Sequence, residues 1–223
     1  MTALPPPADT LVDSAFLFRF GFDLQRFDGK WSDIGVKLSE AHRVPMFGGL
    51  DDGPQFADVR MAFADDGLFL TTRVSGRKTA VWCRDSRPED SDSVQLWVDT
   101  RASPNIHRAT RYCHWFSVMP AGAGSRRDQA AAIHLPINRA RAEPNRVDVR
   151  KIRVAGLIRP DGYDLSAFYP ASQLTGYDPA NHRNLHVYLA VVDQELGTQT
   201  LSVDAKFPYA EDPSLWAEVR LTG

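Results

Sequence analysis

The chain has 223 residues, 43% of them hydrophobic and 24% charged, and a net charge of only −2. That length and composition suit a globular protein with a core large enough to need no staples. The near-neutral charge gives no global field to recruit nucleic acid or a membrane surface, and no apolar run is long enough to span a bilayer.

Residues 1–13, with Pro5-Pro6-Pro7, read as a poorly ordered lead. They lack a charged stretch followed by an apolar one, so no signal peptide is expected and a cytoplasmic location is. Residues 14–223 read as one domain. Phe16, Phe18, Phe20 and Phe22 share one face of a first strand. Residues 37–56, rich in Pro and Gly, read as loop. Val59–Ala64 and Leu68–Val74 flank Asp65-Asp66-Gly67, a strong hairpin signal. Residues 75–92 are polar and turn-rich, and contain Trp82 and Cys83.

Residues 93–99 alternate strictly. Val94, Leu96 and Val98 fall on one face, and Ser93, Gln95, Trp97 and Asp99 on the other. The apolar face should enter a core. The other suits solvent or a ligand that is both polar and apolar, with Trp97 expected to pack. After a turn at Pro104-Asn105, Tyr112, His114, Phe116 and Val118 share a strand face, and 121–125 reads as a flexible loop. Residues 126–159 hold nine Lys and Arg against three Asp and Glu, so the rest of the chain is acidic. Short strands are expected at Ala131–Ile137 and Val147–Ile158, with Arg139 and Arg141 on one strand face. Such arginines either meet an anionic partner or guard a sheet edge against pairing. Further strands are expected at Tyr163–Tyr169, Leu185–Val192, Thr200–Val203 and Leu215–Leu221, with one helical turn at Ala171–Leu174. Many short strands and almost no helix argue an all-β sandwich, immunoglobulin-like or jelly-roll.

Cys83 and Cys113 fit no metal spacing; two free thiols are expected, with one disulfide as the alternative. Glu89, Asp90 and Asp92 offer oxygen ligands that suit calcium, or form a solvated acidic turn. Otherwise no cofactor is expected, and nothing pairs Met61 or Met119 with a histidine for haem. No nucleophile elbow, zincin motif or phosphate loop is present, so no enzyme is expected. Few aromatics interleave with the basic stretch, which leaves nucleic-acid stacking unsupported.

Four pieces then fall in a familiar order: Asp65–Val74, Asp92–Asp99, Gly162–Pro170 and Leu185–Asp193. Together they resemble the family 9 carbohydrate-binding modules and the wider DOMON-like superfamily, over roughly residues 57–221. The resemblance implies an immunoglobulin-like β-sandwich and a sugar site. Where the sugar-binding members carry a tryptophan before Asp-Ser-Val, this chain has Glu89, and the nearest indole is Trp82. Their carboxylate after Val is Gln95 here. Tyr209, before Asp212-Pro213, stands near their second tryptophan, and their polar residue in the Leu185–Asp193 strand is Ala190.

Sugar rings pair apolar faces with hydroxyl rims, so a site needs aromatic plates among polar groups. The candidates are Trp82, Gln95, Tyr112, His114 and Tyr209. The expected function is a non-catalytic saccharide-binding domain; the alternative is a protein-interaction or structural sandwich that has lost the sugar site.

Overall fold

The computed structural model describes residues 20–47 and 53–223. The expected lead at 1–13, with Phe16 and Phe18, lies outside the described residues. Two sheets face each other. The larger runs β1 (Gly21–Gln25), β11 (Ala217–Thr222), β9 (Asn184–Asp193), β4 (Ser93–Asp99), β5 (Cys113–Ala123) and β6 (Gln129–Leu135), with β10 (Gly197–Thr200) pairing β9. The smaller runs β2 (Ala57–Ala64), β3 (Gly67–Ser75), β8 (Gly162–Pro170) and β7 (Arg153–Arg159). Every pairing between strands is antiparallel except β1 with β11. Apart from strands, the regular elements among the described residues are short 3₁₀ turns, one of them at Ala171–Gln173.

Alternation sets the core. Val94, Leu96 and Val98 point between the sheets, and Phe116, opposite Leu96, meets Tyr169 of the smaller sheet at 4.9 Å between ring centroids. The outer face of the smaller sheet buries Ala62, Phe69 and Phe168 under Trp31, Val36 and Leu38. Both cysteines are free thiols.

Several boundaries differ from expectation. The expected loop at 121–125 partly continues β5, which reaches Ala123 through an irregular register after Met119. The basic stretch is not a strand at Arg139 and Arg141: β6 ends at Leu135, before Pro136, and Arg139 takes the left-handed conformation at φ 58°. Proline cannot donate to a ladder, which stops the strand there. The edge strand instead begins at Arg153, after a 3₁₀ turn at Val149–Lys151.

Candidate functional site

The outer face of the larger sheet carries an unusual load. Register places Gln95 between Ser117 and Ala190, and Trp97 between Trp115 and Tyr188. Trp97 and Trp115 stack at 5.1 Å with planes 16° apart. Tyr188 and Tyr209 stack at 4.2 Å, and both meet Trp97 edge-on. Stacked and edge-to-face rings add attraction beyond the area they bury. The second face of β4 was expected to be solvated or to grip a ligand, except for Trp97, which packs as expected. It is buried instead: all seven residues of β4 are buried.

Two segments supply the cover, one distant in sequence and one that leads directly into β4. One is the run after β10. Tyr209 lies on the aromatic layer, the indole Nε1 of Trp216 donates to the Tyr209 carbonyl at 2.7 Å, and the Tyr188 hydroxyl donates to the Val203 carbonyl. Glu211 reaches the loop after β6, where it accepts from the Asn138 amide at 2.9 Å. The other is the loop between β3 and β4. Gln95 Nε2 donates to the Glu89 carbonyl at 3.3 Å, and Ser117 Oγ to the Pro88 carbonyl at 3.4 Å.

That loop is anchored by a buried ionic cluster. The Arg77 guanidinium lies 3.1 Å from Asp92 and also donates to Asp193; the three side chains are at most 2% exposed. Asp92 accepts backbone N–H from Trp82 at 2.6 Å and from Gln194 at 2.7 Å. Asp193 accepts from the N–H groups of Glu195 and Leu196. Burial raises the Asp92 carboxyl above its ordinary range, against the pull of these amides and of Arg77. Beside the cluster, Glu195 clamps Lys78 and Thr79 through their N–H groups and the Thr79 hydroxyl. Asp92 thus faces a guanidinium and two amides, while Asp90 pairs with Arg87 and its carbonyl accepts from Gln194. Among the described residues no group of three or more His, Cys, Asp or Glu is arranged to hold a metal ion.

The five candidate residues do not converge. Trp82 is half-buried at the root of the Arg77–Asp92 loop, with Arg84 and Arg87 over its ring at 5.2 and 5.9 Å. Gln95 lies beyond it along β4, 5% exposed beneath Pro88 and Glu89. Tyr209 follows on the same outer face, over Trp97. Tyr112 lies at the opposite end of β4, where its carbonyl accepts from Thr100 and its ring sits between Arg101 and Arg111. Seven strand residues separate that end from Trp82, roughly 23 Å. His114 is on the wrong face for the expected cleft. It is fully buried between the sheets, stacks on Phe116, and accepts the Thr175 N–H at Nε2, 2.9 Å away. Burial pushes its imidazole down to about 3, and that of neighbouring His134 to about 4.

The open concavity on this face lies elsewhere. A cleft of about 600 Å³ sits over β9, β11 and the start of β1, walled by residues 202–218 and 103–107. It contains His107, His186, Asp212, Ser214, Trp216 and Glu218. These residues come from three separate stretches of chain, so no spacing motif announces them.

No protein-family model matches the chain, and no curated protein matches it. Solved structures do. A family 9 carbohydrate-binding module from Caldicellulosiruptor kristjanssonii, solved in complex with glucose, is similar with a TM-score of 0.64 and 14% identity, over 91% of this chain and 96% of that one. The complex with cellotriose from the same organism gives a TM-score of 0.60 at 14% identity, over 91% and 94%. At that identity the likeness is one of fold, and it agrees with the sandwich read from the strands.

Proposed function

We propose that the chain is a non-catalytic saccharide-binding domain that uses the outer face of its larger sheet. The carrying observation is the row along β4: half-buried Trp82, the Gln95 amide, then the Trp97–Tyr209 layer, in that order on a sheet whose fold matches modules solved with glucose and cellotriose. Flat rings next to an amide are what a sugar face and its hydroxyl rim require. On this reading Trp82 and Tyr209 are the plates. The Pro88–Glu89 segment over Gln95 lifts when a ligand enters, and Tyr112 and His114 take no part. Calorimetry against glucose and cellotriose tests it: binding of millimolar strength or better, at least tenfold weaker in Trp82→Ala or Tyr209→Ala, is expected. A folded protein that binds neither sugar contradicts it.

A second reading is a protein-interaction domain. It is favoured by Leu157 and Ile158, 61% and 46% exposed on β7, the edge strand of the smaller sheet. Silence toward sugars, together with a Leu157→Asp variant that abolishes a partner complex, would select it.

A further inference from the structure

The geometry points to a second ligand site in the cleft over β9 and β11, one that takes an amine-bearing sugar. The site rests on the saccharide reading but is separate from the Trp82–Tyr209 row. Its volume of about 600 Å³ falls within the range of small-ligand pockets. Its chemistry is one-sided. Among the described residues that line it, Asp212 and Glu218 are acidic and none is lysine or arginine. A cleft with charge of a single sign concentrates ligands of the opposite sign.

The hydrogen-bonding groups point the same way. His107 Nδ1 lies 3.0 Å from an Asp212 carboxylate oxygen and 3.2 Å from Ser214 Oγ. A carboxylate only accepts, so Nδ1 carries the ring proton that makes the Asp212 contact. Asp212 is itself fixed by the Ser214 N–H at 2.9 Å. At the floor, His186 Nδ1 is buried with no hydrogen-bond partner among the described residues, and burial pushes that imidazole down toward its neutral form. Two carboxylates, which only accept, match an ammonium, which is all donor, set on a ring whose hydroxyls reach the serines. Trp216 closes the inner wall. An acidic sugar would meet two carboxylates of its own sign.

The test is calorimetry at neutral pH with four probes: the β-1,4-linked glucosamine dimer, cellobiose, cellotriose and digalacturonate. The glucosamine dimer should bind best and digalacturonate not at all. Asp212→Asn, which keeps the capping oxygen, and Glu218→Gln, on an exposed position, should each weaken the glucosamine dimer by up to about fivefold and leave cellobiose unchanged. Equal affinity for the amine and neutral dimers, or insensitivity to both substitutions, overturns the proposal. Cellotriose binding that is lost in Trp82→Ala, without any glucosamine binding, removes this site and leaves the saccharide reading standing. No binding of any probe removes both.

Discussion

Replacing Arg77 with methionine should destabilise the protein by about 3–5 kcal/mol, the usual cost of stranding a buried charge. The structure explains the size. The guanidinium is 2% exposed and is shared by Asp92 and Asp193, both fully buried, so its removal leaves two carboxylates facing each other. Four backbone N–H groups remain on those carboxylates, from Trp82, Gln194, Glu195 and Leu196. They hold the cost to the lower end, near 3 kcal/mol, which for a chain of this size is roughly 6–12 °C in Tm. Two like charges in one buried site also cannot both ionise readily, so a carboxyl pKa rises in the variant. A raised folded pKa gives stability that is present at low pH and lost as pH rises, so Arg77→Met should lose less at pH 5 than at pH 8. Adding Asp92→Asn and Asp193→Asn should recover at least half of the loss. Urea denaturation followed by tryptophan fluorescence reads all three quantities. A single variant within 1 kcal/mol of the parent, with no change in pH dependence, would refute the clamp.

Acid should destabilise the parent through His114 and His134. Their folded pKa values, about 3 and about 4, lie below the ordinary 6.5, so the unfolded chain takes up protons first. Stability is then complete above pH 6.5 and falls by about 2 kcal/mol per imidazole at pH 5; a His134→Gln variant with the same slope between pH 7.5 and 5 would contradict this. Trp97→Ala should cost about 3–5 kcal/mol in urea melts, because it removes the ring that Trp115, Tyr188 and Tyr209 all touch. Gly162→Ala should cost about 1–3 kcal/mol, since its Cβ would stand 2.0 Å from the Val74 carbonyl oxygen; an unchanged Tm would show that the β7–β8 turn yields freely against β3. Neither thiol should react quickly with a disulfide reagent in the folded protein, because burial pushes Cys83 up to about 11 and Cys113 up to about 12. Stoichiometric labelling within seconds would contradict that environment.

Most strands were legible because period-2 alternation survives wherever one face meets the core. β2 to β3, β4, β8 and β9 fall within a residue or two of expectation. The burial of both faces of β4 was not legible. Its cover comes from Pro88 and Glu89, in an aperiodic loop just before the strand, and from the distant Tyr209, and no alternation encodes their approach. His114 carried a readable warning. It shares its face with Phe116 and Val118, the partners of the core residues Leu96 and Val94, so the same alternation that located the strand also sent the imidazole inward. Asp92 and Asp193 stood out as motif carboxylates, but their common partner Arg77 lies in a stretch without periodicity. The cleft residues His107, His186 and Asp212 meet only through the β9–β11 pairing and the loops above it.

The five tryptophans offer the most direct test of the saccharide reading. Trp31 packs on the outer face of the smaller sheet, whereas Trp97 and Trp115 lie on that of the larger, Trp216 walls its cleft, and Trp82 stands at the root of the loop that covers it. Nitrogen-15 spectra of the indole N–H groups, recorded during titration with cellotriose, separate the two faces in one experiment. A saturable shift of the Trp82 resonance with Trp31 unmoved is predicted. Five unmoved indoles at high sugar concentration, or a shift confined to Trp31, would contradict the assignment of saccharide binding to the larger sheet.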